Sequence, residues 1–163
     1  MDYYQTAQIC LNGHCITSAF ETNPLDRQPF CDQCGAKTIT ECPSCRAKIR
    51  GEYTPGNDSS FFGGFGYTVP AFCSQCGAPF PWTQTAIEVA TALISEEVEL
   101  PSNDREALIE VLPAVIAETP KTNLAAVRFK KALSVAGKYT ADGLRQFTID
   151  FGCELFKKLL FGV

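Results

Sequence analysis

A chain of 163 residues with 45% apolar and 20% charged side chains and a net charge of −4 has the balance of a globular protein, sized for one ordinary domain or two small ones. Five basic and seven acidic residues fall in 1–80 and nine and eleven in 81–163, so each half carries −2 and neither has the Lys/Arg excess that drives non-specific nucleic-acid binding. No run approaches the ~18 apolar residues of a spanning helix, and the first twenty residues lack the features of a secretory leader, so the nine Cys are expected to be reduced thiols in a cytoplasmic protein.

Cysteine usage divides the chain. All but Cys153 lie at or before Cys76, and the sequence after Trp82 is rich in Ala, Leu, Val, Glu and Lys at helical spacing, which places a boundary near 78–83 between domains 1–80 and 83–163. In the first, β-type runs at Thr6–Cys10 and Cys15–Phe20, punctuated by Gly, Pro and Asn, predict hairpins. In the second, Thr85-Ala-Ile-Glu88 is a capping box ahead of Ala86, Ile87, Ala90, Leu93 and Ile94 on one face. A second helix starts near Asn103, is kinked or split by Pro113 and stops before Pro120. A third runs from Thr122 to Ala136 and ends at Gly137. A fourth runs from Thr140 to Phe161 with Leu144, Phe147, Phe151, Leu155 and Leu159 as its stripe. Short connections favour a bundle of about four helices.

Four ligand pairs stand in the first half: Cys10 with His14 as CxxxH, then Cys31 with Cys34, Cys42 with Cys45 and Cys73 with Cys76 as CxxC. A CxxC turn presents two sulfurs to one side of a tetrahedron through local backbone alone, so eight donors fill two zinc sites. Cys34-Gly35 and Cys76-Gly77 put a residue tolerant of positive φ after the second sulfur, and Asn12-Gly13 suits a tight turn before His14. The segments Phe30–Ala36 and Phe72–Ala78 repeat as FCxQCGA, which implies two equivalent units and sequential pairing: Cys10, His14, Cys31 and Cys34 in one site, Cys42, Cys45, Cys73 and Cys76 in the other. A cross-braced pairing of the first pair with the third is the alternative.

These knuckles resemble the double zinc ribbon class over about residues 8–80, and the whole chain is similar to an uncharacterised bacterial family with a zinc-ribbon start and a helical end. The resemblance implies a fold, small zinc-stabilised β ribbons followed by an all-α bundle, and no activity. The chain departs from the ribbon pattern in its CxxxH knuckle and in Arg46, which stands where a Gly follows the second Cys elsewhere.

Eight donors for two ions leave no open coordination position, so both zinc ions are expected to be structural. Iron of the rubredoxin kind uses similar knuckles, and the imidazole donor argues against it. His14 is the only His in the chain; as a ligand it is withdrawn from general-base or nucleophile-activating work, and no enzyme is expected. Cys15 and Cys153 are left over, the first a substitute ligand, the second a small buried hydrophobe. Phe61, Phe62, Phe65 and Tyr67 on a Gly-rich loop, and Arg128, Lys130 and Lys131 within an acid-free stretch from Lys121 to Ala141, are candidate partner contacts. The bland readings are ribbon cover and a solvated helix face. Glu96, Glu97 and Glu99 read as the charged end of the first helix. The function that results is a zinc-binding, non-enzymatic protein-interaction or regulatory module, with a nucleic-acid-binding regulator and a membrane-surface effector acting through the apolar C-terminal helix as the alternatives.

Overall fold

The structure is a computed structural model that describes residues 3–55 and 66–162. Phe61, Phe62 and Phe65 lie outside the described residues. The chain divides into two compact units, 1–83 and 84–163.

In the first unit the strands are short because cysteine knuckles interrupt them. Strands β1 (Tyr3–Thr6) and β5 (Arg50–Thr54) form an antiparallel pair; β2 (Gln8–Cys10) lies between β3 (Cys15–Thr17) and β4 (Thr38–Ile39). The register Ile9↔Ile39 and Cys10↔Thr38 fixes the first ligand strand against the exit from the second knuckle. The run read as Thr6–Cys10 is thus shared between two sheets. Ala7, Ile9, Ala19 and Ile49 are buried beneath these strands, a core too thin to hold them unaided. Buried Phe80 and Trp82 stack with centroids 4.7 Å apart, and the Trp82 indole N–H donates to the Pro70 carbonyl at 3.0 Å. Gly13, at φ +90°, lies under this indole, where a Cβ would come within 3.0 Å of Trp82 Cβ.

Helix α1 (Pro81–Glu96) begins four residues before the capping box. Pro81 suits a first helical position, where its missing N–H goes unused, and the Thr83 hydroxyl bonds the Ala71 carbonyl at 2.8 Å, so Thr85 falls inside the helix. Pro113 does split the second predicted helix, into α2 (Ser102–Glu110) and α3 (Leu112–Ile116). In the second unit α4 (Thr122–Val135) packs against α2, α3, α5 (Lys138–Phe151) and α6 (Glu154–Phe161). Thr122, fully buried at the start of α4, donates to the Ala114 carbonyl at 3.1 Å and accepts from the Thr119 N–H at 2.9 Å, which satisfies groups that the end of α3 leaves open.

The predicted fourth helix is two helices. At Gly152 the chain turns extended and the Cys153 N–H bonds the Val115 carbonyl of α3 at 2.8 Å. The break resets the helical phase, so Phe156 is the fully buried residue of α6, while Leu155 and Leu159 of the expected stripe are half-buried. Cys153 is half-buried as well, at the N-terminal boundary of α6.

Glu97 is more than the charged end of a helix. Its side chain is buried, and its carboxylate accepts the Glu99 N–H at 2.9 Å and the Gly137 N–H at 3.1 Å, capping the start of α5. The Thr140 hydroxyl, then the Glu99 N–H, hold its carboxyl below the ordinary value of 4.5 against the opposing effect of desolvation. A carboxylate depressed on folding contributes stability that is present above its unfolded pKa and lost as pH falls through the folded one. Glu97→Gln is therefore expected to melt several degrees below wild type at pH 7, with the gap closing as pH falls below 4.5; thermal circular dichroism at pH 7 and pH 3 checks it.

Candidate metal centres

The three CxxC knuckles are copies of one backbone turn. In each, the first Cys accepts at its carbonyl the N–H of the residue after the second Cys: Gly35 to Cys31 at 2.7 Å, Arg46 to Cys42 at 2.8 Å, Gly77 to Cys73 at 2.9 Å. Each is closed by a bridge, Phe30↔Lys37, Glu41↔Lys48 and Phe72↔Pro79. The turn needs a positive φ after the second sulfur, and Gly35 and Gly77 supply it at 71° and 72°. Arg46 is driven to 63°, among the described residues the only non-glycine with positive φ. For an L-residue that region costs about 1–2 kcal/mol, partly offset by the extra freedom Gly has when unfolded. Arg46→Gly is expected to raise stability by up to about 1 kcal/mol with two metals still bound, read from a thermal melt of the metal-loaded protein.

The knuckles converge as two groups of four donors, Cys10, His14, Cys31 and Cys34, and Cys42, Cys45, Cys73 and Cys76, with the donor atoms of each group within 4.8 Å of one another. The pairing is sequential. In the first group Cys10 Sγ lies 3.8 Å from Cys34 Sγ, and His14 Nδ1 lies 3.5 Å from Cys10 Sγ and 3.6 Å from Cys31 Sγ. In the second, Cys42 Sγ is 3.8 Å from Cys76 Sγ and Cys45 Sγ is 3.7 Å from Cys73 Sγ. A tetrahedron with metal–sulfur bonds of about 2.3 Å has edges of about 3.8 Å between sulfurs, and about 3.55 Å from sulfur to a nitrogen at about 2.05 Å. Both donor sets therefore fit a single tetrahedral ion, and the imidazole donor is Nδ1.

The electrostatics suit a cation. In the metal-free chain three sulfurs in the first group and four in the second compete for protons at this spacing. Cys34 is lowered to about 6, chiefly by the Ala36 N–H and then by the Asn12 amide, whose Nδ2 donates to Cys34 Sγ at 3.3 Å. Cys73 is lowered to about 6 by the N–H groups of Cys76 and Gln75. The Ala47 N–H pulls Cys45 down, but desolvation and the surrounding sulfurs push it up to about 12. Burial raises Cys10. The N–H donors thus favour the thiolate form of Cys34 in one group and of Cys73 in the other, the form that ligates a cation. Asn12 was legible in the sequence only as a turn residue; its role as donor to Cys34 depends on the second knuckle arriving beside it.

The remaining candidates are placed as follows. Cys15, on β3, is in neither donor group; desolvation of its thiol and the nearby Glu52 push its pKa up, which does not favour a nucleophile. Tyr67 is half-buried and its hydroxyl donates to the Arg50 carbonyl at 2.6 Å, while burial pushes its phenol upward, so the ring is anchored to β5. The basic stretch on α4 is largely spent on α2. Lys131 reaches Asp104 at 3.2 Å, Lys121 and Arg128 reach Glu110 at 3.6 and 3.7 Å, and Arg128 also donates to the Ala107 carbonyl at 2.9 Å. Among the described residues Lys130 and Lys138 have no ion pair. No described helix is long and apolar enough to cross a membrane.

Small ribbons built on sequential four-donor knuckle pairs, followed by a helical unit, define a protein of the tandem zinc-ribbon type. The chain belongs to the family described as an uncharacterised protein conserved in bacteria, DUF2321, whose model matches residues 3–160. Comparison with curated proteins and with solved structures gave no match.

Proposed function

We propose that this protein is a non-enzymatic, cytoplasmic interaction module in which two structural zinc ions hold a tandem ribbon and the helical unit meets a protein partner or a second copy of the chain. The observation that carries the reading is the donor geometry: two sets of four donors at tetrahedral spacing leave no coordination position for water or substrate. Thiolate and imidazole together suit zinc better than iron. With His14 in the first donor group, the chain retains no histidine for acid–base work.

The helical unit supports the interaction half of the reading. Leu124, Val127 and Val135 share one face of α4 and are 45%, 65% and 47% exposed, more apolar surface than a solvated helix needs. Pairing of Lys121, Arg128 and Lys131 with α2 carboxylates leaves little of the basic stretch for phosphates, which counts against the nucleic-acid reading. The test is mass spectrometry of the native protein with elemental analysis of its metal. Two zinc per chain with self-association or a stoichiometrically bound protein is expected. One metal, or iron, overturns the structural-zinc reading, and a partner-free monomer at all concentrations overturns the interaction reading.

A further inference from the structure

The two donor groups are unequal in a way that bears on their chemistry. In each CxxC the first residue, Cys31, Cys42 or Cys73, is buried and the second is exposed. The second group therefore has two exposed cysteines, Cys45 and Cys76, whose sulfurs lie within 4.8 Å of each other. The first has one, Cys34. Its other donors are two sulfurs on fully or nearly fully buried residues, Cys10 and Cys31, and an imidazole that two-electron oxidants of thiols leave alone. Backbone N–H groups reach sulfurs of both groups, His14 to Cys10 Sγ at 3.3 Å and Gln75 to Cys73 Sγ at 3.4 Å, but among the described residues only the first group adds a side-chain donor, the Asn12 amide to Cys34 Sγ at 3.3 Å. Hydrogen bonds to a thiolate stabilise the charge that makes it nucleophilic. Charge separates the groups as well, since four thiolates around a divalent ion leave −2 and three with a neutral imidazole leave −1.

We propose that Cys45 and Cys76 form a modification site for peroxides, at which oxidation to a disulfide expels the zinc of the second group while the first group keeps its own. The inference rests on the zinc reading given above. The chemistry balances on the chain's own atoms. The Cys45 sulfur, which zinc ligation keeps as thiolate, attacks one peroxide oxygen; an S–O bond forms, the O–O bond breaks and hydroxide leaves, giving a sulfenic acid. The Cys76 thiolate then attacks that sulfur; an S–S bond forms and a second hydroxide leaves. Two thiolates have lost two electrons, the peroxide has gained them, and solvent protons convert both hydroxides to water. The sulfurs must close to about 2.05 Å, which draws them out of the tetrahedron and leaves the cation only Cys42 and Cys73. With two of four ligands gone, the second ribbon has lost its staple.

The test uses the full chain loaded with two zinc and freed of reductant. It is titrated with hydrogen peroxide while released zinc is read with a chromogenic chelator, and the disulfides are mapped by mass spectrometry of proteolytic peptides. One zinc per chain is expected to leave about tenfold faster than the other, a ratio that one charged hydrogen bond accounts for, with a disulfide joining Cys45 to Cys76 and recovery on adding thiol reductant and zinc. Asn12→Ala, which keeps every ligand, is expected to speed loss of the slow zinc several-fold. Parallel release of both ions, release without a disulfide, or a disulfide joining any other pair overturns the proposal. A protein that never holds two zinc defeats the earlier reading instead, and the loading step shows this before any peroxide is added.

Discussion

Replacing Cys73 with Ser is expected to halve the metal content to one zinc per chain and to unfold the second ribbon while the helical unit stays folded. Cys73 is 4% exposed, and its sulfur lies 3.7 Å from Cys45 Sγ in a group with no spare donor. A serine hydroxyl does not ionise at neutral pH and is a hard ligand, so three sulfurs remain for an ion that wants four soft donors. Structural zinc contributes about 10–16 kcal/mol of apparent binding free energy in small zinc peptides, as much as the whole stability of a typical domain. The ribbon core, a few residues such as Ile9 and Ile49, cannot replace that. Elemental analysis gives the count, and amide hydrogen exchange gives the place: residues 42–55 and 66–80 are expected to lose protection and those of α4 and α5 to keep it. Cys15→Ser and Cys153→Ser, outside both donor groups, are expected to retain two zinc. Two zinc retained by Cys73→Ser would mean that the ligand set is wrong.

That contrast also separates what the sequence could disclose from what it could not. The knuckles were legible because each is a local object: two sulfurs, a turn and a residue at positive φ lie within five positions, and the repeat of Phe30–Ala36 in Phe72–Ala78 gives the pairing. Arg46 departs from that pattern, yet the third knuckle adopts the same turn, because the hydrogen bond from its N–H to Cys42 and convergence on a shared donor group override one residue's backbone preference. Pro113 was legible for the same local reason. The break at Gly152 was not, because it answers to the bond from the Cys153 N–H to the Val115 carbonyl, 38 positions back along the chain. The charge of the basic stretch was legible but its ion pairs were not, because their partners Asp104 and Glu110 sit on another helix. Glu97 looked like solvated charge until the start of α5 arrived beside it.

The helical unit has no metal to hold it, so its largest expected loss comes from its core. Phe129 is fully buried at the centre of α4, the helix against which α2, α3, α5 and α6 all pack, and its ring meets that of buried Phe156 edge-to-face at 5.2 Å. Phe129→Ala removes the transfer free energy of a phenyl ring, leaves a cavity among neighbours held on several helices, and forfeits the edge-to-face contact that helps hold α6. The loss is expected to be about 3–5 kcal/mol, a large share of the 5–15 kcal/mol available to a whole domain. Because α6 follows the break at Gly152 and is only eight residues long, too short to be helical in isolation, it is expected to detach first. Far-UV circular dichroism under urea should show the midpoint falling sharply, and amide exchange should show Glu154–Phe161 opening ahead of the other helices. Zinc content should stay at two, since no ligand lies beyond Cys76. Phe129→Leu, which keeps most of the volume, is expected to recover more than half of the loss. If the alanine variant instead melted as wild type does, α4 would not be the centre of the unit; if it shed zinc, the stability of the ribbons would depend on the helical unit.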